Sequence, residues 1–177
     1  NRLTEAVSKG DTNLVRTYLT TGLLSICFIG IVLGIALLGV VFFFHMQDVF
    51  NTVKIDEHTL TLSVLFSGMF IVATFVLSIV DQLYYAYQKA AVPGMVAIVQ
   101  SVLMVSGAYY LTTTSFHGII WWVFVFGFAA ITSRTFFLGY FFFSHKELLP
   151  RWQWYDSTKL KDITTLGLQF FILQISA

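Results

Sequence analysis

Long apolar runs alternate with short polar connections along this chain. Apolar residues dominate from about Tyr18 to Phe44, from Thr59 to Val80, from Val92 to Leu111 and from Gly118 to Phe143, and another run begins near Ile163. Each of the four complete runs is long enough to cross a bilayer, which takes about 20 residues at roughly 1.5 Å rise each. Strands of ordinary size are much shorter. In lipid the backbone must satisfy its own polar groups, so the pattern predicts helices. The expected fold is an all-α, polytopic membrane helix bundle. Residues 1–143 hold its first helices, 144–162 form a polar linker long enough to join separately packed bundles, and 163–177 start a further transmembrane helix.

Composition strengthens that reading. Residues of the set AVILMFWYC make up 57% of the 177 residues and charged residues 11%, against roughly 45–50% and about 25% in soluble domains. Nineteen phenylalanines help bring the aromatic share to 18%. Such a chain has too little charge to cover a surface in water. The single cysteine, Cys27, lies in an apolar stretch and reads as a small packing residue. Residues 1–17 are polar and of mixed charge, with no cleavable signal pattern. The chain starts at Asn1 and stops inside an apolar run, so it reads as an internal portion of a longer membrane protein. No repeat period, heptad run or low-complexity tract is present.

The charges add direction. The segment before the first run holds Arg2, Lys9 and Arg16, the second connection Lys89, and the last Lys146, Arg151, Lys159 and Lys161. The intervening connections hold only Lys54. Alternation of this kind predicts that the N-terminal end and the Lys/Arg-rich connections lie in the cytoplasm. Aromatic residues suit the same frame. Tyr84, Tyr85, Tyr87, Trp121, Trp122, Trp152, Trp154 and Tyr155 fall at expected membrane–water boundaries, where amphipathic rings are favoured. Pro93 falls near the start of its helix, where its missing N–H costs little.

Few residues offer chemistry. His45, His58, His117 and His145 are scattered, without i,i+4 pairing or a partnering cysteine, so neither a metal site nor another cofactor is expected. No G-x-S-x-G, P-loop or G-x-G-x-x-G pattern occurs, and the chain is not expected to be an enzyme. Asp48, Asp56 and Glu57 share one connection and read as a solvated face. Gly30 and Gly34 form a small-xxx-small pattern suited to close helix approach. Asp81, at the end of the second run, is either a coupling carboxylate or an interfacial residue. Gln100, inside the third run, either binds a polar ligand or bonds to another helix.

Arg134 stands apart, in the stretch FAAITSRTFFLGYFFF. If its helix continues to Phe143 it lies near mid-depth, where an arginine costs from ~2.5 to more than ~10 kcal/mol on an isolated helix. If the helix ends near Leu138, the side chain snorkels to the interface. Gly127, Ala130 and Arg134 share a face at helical spacing, a small-residue stripe suited to a protein interior or an anion-facing cavity. Phe124, Phe128 and Phe136 are expected on lipid-facing sides.

Three stretches carry a family resemblance. RLTEAVSKGDTNLVRTYLTTGLL resembles the cytoplasmic loop and third-helix start of polysaccharide flippases in the multidrug/oligosaccharidyl-lipid/polysaccharide exporter superfamily. QLYYAYQKAAVPGMVAIVQSVL is similar to the hairpin between their fourth and fifth helices, and KLKDITTLGLQFFILQISA to the start of their seventh. The resemblance covers the third to sixth helices plus the start of the seventh. It implies a bacterial inner-membrane protein with two lobes of helices around a central cavity, the linker 144–162 lying between them. Such proteins move an undecaprenyl-pyrophosphate-linked oligosaccharide, such as an O-antigen precursor of lipopolysaccharide, to the outer leaflet by alternating access. The implied partners are membrane lipids, that lipid-linked oligosaccharide and polysaccharide polymerase machinery, with no nucleic acid. Arg134 and Gln100 are then cavity candidates and Asp81 a coupling candidate. The rival readings are a cation-coupled multidrug or small-solute exporter, a non-transporting scaffold of polysaccharide synthesis, and a membrane glycosyltransferase using the connection 45–58.

Overall fold

A computed structural model describes residues 2–52, 54–114 and 118–160. The helices run α1 Arg2–Ser8, α2 Thr12–Phe43, α3 Met46–Val49, α4 Glu57–Leu77, α5 Ile79–Ala86, α6 Ala91–Thr113 and α7 Ile119–Ser144, followed by 3-10 turns at Lys146–Leu148 and Trp152–Trp154. No strand occurs among the described residues. Four stretches, Thr12–Phe43, Glu57–Ala86, Ala91–Thr113 and Ile119–Ser144, are long and apolar enough to cross a membrane. The chain is a membrane protein with an all-α, polytopic bundle, as its apolar pattern predicts. The further helix expected at 163–177 lies outside the described residues.

Local chemistry sets the helix ends. Asp11 caps α2 by accepting the Leu14 N–H at 3.0 Å, and Asp56 caps α4 by accepting that of Thr59 at 3.1 Å. The Glu57 carboxylate accepts the N–H groups of Met46 and Gln47 at 2.8 and 2.9 Å, which ties α3 to the start of α4. Two of the three acidic residues of this connection therefore have structural partners. The second span is longer than its apolar run suggests. At Ser78 the helix breaks, with the hydroxyl and the N–H of Ser78 both bonded to Phe75 O, and α5 then continues past Asp81 and Gln82 to Ala86. A tight turn with Gln88 at φ 57° leads into α6.

The long helices pack in a row, α2 on α4, α4 on α7 and α7 on α6. Glycine lies at each seam. Val72 and Val76 of α4 press on Gly30, Leu37 of α2 on Gly68, Phe70 of α4 on Gly127, and Val125 of α7 on Gly107. Removing the side chain at these points lets the backbones approach without a hydrophobic driving force from water. Gly34, the other member of the sequence pattern, has open space where a side chain would be. Phe124 does not face lipid as expected: its ring lies 4.9 Å from that of Phe66 and 5.8 Å from that of Phe70. The bare backbone at Gly127 draws the Phe70 ring onto α7, and Phe124 follows it. Phe128 and Phe136 are exposed.

One end of the bundle carries a compact core. Ala6, Val15, Leu19, Val80, Leu83, Tyr84, Phe141 and Leu148 are buried there together. Tyr84, expected at the membrane boundary, is 2% exposed and donates its hydroxyl to Phe137 O at 2.9 Å. The partner carbonyl makes burial of a tyrosine tolerable. The first part of segment 144–162 packs on this end. Arg16 donates Nε–H to Glu147 O at 2.6 Å and lies 5.3 Å over the Trp154 ring, and the Asp156 N–H meets Thr21 Oγ1 at 3.2 Å. Hydrogen bonds from the Thr158 hydroxyl and N–H hold the Asp156 carboxyl below its ordinary range.

The two glycines of α2 separate packing from composition. Gly30→Val places a β-carbon 2.6 Å from Val76 Cγ2 and is expected to destabilise the α2–α4 seam by about 1–3 kcal/mol. Gly34→Val is expected to leave stability unchanged. Thermal unfolding of the two variants in one detergent checks this, and equal losses contradict it.

Candidate functional site

Arg134 reaches its neighbours through the geometry of α7. That helix continues ten residues beyond it, to Ser144, or about 15 Å. This is comparable with half of an apolar bilayer core and is incompatible with a helix ending near Leu138. The side chain folds back toward the start of its helix, the direction helical side chains favour, and an Nη1–H approaches Ala130 O at 3.5 Å. Its main partner is on the neighbouring helix. Arg134 Nη1 donates to Gln100 Oε1 of α6 at 2.8 Å, and the Gln100 amide nitrogen lies 3.7 Å from Met104 Sδ. Of the two roles open to Gln100, the bond to another helix is present.

The guanidinium is not fully satisfied. Arg134 Nε is buried without a hydrogen-bond partner. Among the described residues, the ion pairs within 4 Å are Arg2–Glu5 and Lys9–Glu5, both at the chain start. Asp81 lies within electrostatic range of Arg134 but forms no such pair with it. The structure thus bonds Arg134 to Gln100, and Asp81 acts on Arg134 only through its longer-range charge. The cluster holds one fixed positive charge, a neutral amide that orients it and one carboxylate nearby. It can attract an anion electrostatically, and it contains no nucleophile paired with a base. No group of three or more metal-ligating side chains occurs among the described residues.

A groove adjoins this cluster. Its volume is about 540 Å³, and it is lined by Phe70, Ile71 and Thr74 of α4 and by Trp122, Phe126 and Ala130 of α7, among others. Val123, Gly127 and Ala130 of its wall lie at helical spacing with Arg134 on one face of α7. The expected small-residue stripe therefore does two things: Gly127 seats Phe70, and Gly127 and Ala130 form groove wall that ends one turn before the arginine. The α4 side was missed in the sequence. Ser67 and Thr74, one heptad apart in an apolar span, were its only signal.

No family model, curated protein or solved structure matches the chain.

Removing the partner tests how the charge is held. Gln100→Leu leaves Arg134 without its side-chain hydrogen bond and is expected to cost about 1–3 kcal/mol, the penalty for a buried group left unpaired. The Gln100→Leu/Arg134→Leu double variant is expected to recover most of that loss. Chemical denaturation in detergent reads the coupling, and strictly additive effects contradict the bond.

Proposed function

We propose that this chain belongs to a transporter that flips lipid-linked oligosaccharide or polysaccharide precursors across the bacterial inner membrane by alternating access. One observation carries the reading: the Arg134 guanidinium, on a long apolar helix, is held by a neutral amide and, among the described residues, forms no ion pair with a carboxylate. A charge kept in an apolar span at a cost of several kcal/mol, with no carboxylate in ion-pair contact, suits an anionic substrate that supplies that contact. The pyrophosphate of an undecaprenyl-linked oligosaccharide has that chemistry. The resemblance of three stretches to polysaccharide flippases agrees. Lys/Arg clustering on alternate connections supports a cytoplasmic position for the end with α1.

Asp81 favours a second reading, a cation-coupled exporter of small solutes, because a carboxylate in electrostatic range of a half-buried arginine can exchange its proton or cation partner. The readings differ in which residue transport needs. The full-length gene carrying Arg134→Ala, Arg134→Lys or Asp81→Asn is introduced into cells that depend on it for surface polysaccharide, and insertion is verified for each variant. Arg134→Ala is expected to lower export about tenfold or more, the value of one charge-assisted bond, and Arg134→Lys to retain part of it. Normal export in both Arg134 variants contradicts the proposal. Loss with Asp81→Asn alone supports the exporter.

A further inference from the structure

We propose that residues 145–156 form a strap that Arg16 and Thr21 clasp onto α2, so that α2, and not the preceding α7, sets where the helical turn at 157–160 begins. The clasp needs no particular transported substrate. The strap leaves α7 at Ser144 and crosses the end of the bundle. Its first 3-10 turn touches both α7 and α2, and its second packs on α2. In the row of long helices α4 lies between α2 and α7, so the strap bridges helices that are not neighbours in the row.

Its anchors are of unequal kind. Leu148 is buried in the core with Leu19, Val80 and Phe141 and fixes the near end. Polar contacts hold the rest. The Arg16 Nε–H donates to Glu147 O at 2.6 Å, and its guanidinium lies over the Trp154 ring. One side chain thereby grips the strap at both 147 and 154. At the far end the Asp156 N–H donates to the hydroxyl of Thr21, a fully buried residue. Asp156 in turn accepts the N–H and the hydroxyl of Thr158 at 2.9 and 2.6 Å, which caps the turn at 157–160. Lys159 of that turn lies 5.9 Å from the centre of the Tyr18 ring of α2.

The outer side of the strap is open. Leu149, Arg151, Trp152 and Tyr155 are exposed, and the Trp152 ring stacks on that of Tyr155. Beyond Leu148 the strap therefore buries little apolar surface, and a guanidinium and a few hydrogen bonds hold it down. Segments held in this way open as units of their own, at lower free energy than the core they rest on. Release of Arg16 frees the chain from Leu149 to Asp156 and leaves the spans packed. With Arg16 in place, a movement of α2 carries the start of the turn at 157–160 with it.

The test is limited trypsin digestion of the full-length protein in detergent. The rate of cleavage after Arg151 is read against that after Lys54, which is exposed in a different connection. Cleavage needs local opening, so its rate follows the open population. Arg16→Gln is expected to speed cleavage after Arg151 about tenfold. Cleavage after Lys54 and thermal unfolding of the spans should stay unchanged. Thr21→Val keeps the shape, loses the hydroxyl and is expected to speed cleavage after Arg151 about threefold. An unchanged rate after Arg151 in Arg16→Gln, or in Thr21→Val should Arg16→Gln not fold, would overturn the clasp. Equal acceleration after Lys54, or a lowered unfolding temperature, would make the strap part of the core and overturn its opening as a unit.

Discussion

In hydrocarbon a peptide group has no water to bond, and the remaining features of this molecule follow from that constraint. Each apolar run must close its own hydrogen bonds, so it becomes a helix. Once helical, the runs gain little from hiding apolar surface from one another, because lipid is as apolar as they are. Association depends instead on close fit. Gly30, Gly68, Gly107 and Gly127 each receive a bulky side chain from the adjacent helix and join α2, α4, α7 and α6 into a row. The same constraint acts on side chains. A guanidinium on α7 must find acceptors inside the protein, and it finds the Gln100 amide and the Ala130 carbonyl.

The two ends of the bundle are stabilised differently. At the end with α1, aliphatic and aromatic side chains from several short elements form a buried core, and the segment after α7 is bonded onto α2. Along the spans, many large apolar side chains remain exposed, including Phe28, Ile71, Val105 and Phe136. Those surfaces suit lipid. Arg134 lies between the two regimes, with enough helix on either side to keep it from the boundary and enough small-residue surface to bring Ala130, Gln100 and the groove together.

The spans were legible because apolarity over twenty or so residues admits few alternatives. Their ends were less so, since polar residues can continue a helix. Residues 12–17 extend α2 before Tyr18, and Asp81 and Gln82 lie inside α5 although they end the apolar run. Tyr84 shows the limit of reasoning by residue type: an amphipathic ring suits a membrane boundary and a core equally well, and only the Phe137 carbonyl decides. Arg134 was conspicuous because charge is rare in such a run. Its bond to Gln100 joins residues 34 positions apart on antiparallel helices, and no local pattern encodes that pairing. The groove depends on the side on which α4 meets α7, which periodicity leaves open.

The central claim is that α7 carries its arginine well inside the membrane. Phe136, two residues away and exposed on the other side of the helix, reports that depth without disturbing Arg134. A nitroxide at Phe136→Cys, in a Cys27→Ala background and in a lipid bilayer, can be probed by electron paramagnetic resonance for collisions with oxygen and with a water-soluble nickel chelate. The account predicts high accessibility to oxygen and very low accessibility to nickel, with the reverse at the exposed Arg151→Cys. Strong nickel accessibility at position 136 would put Arg134 at the interface and contradict the account.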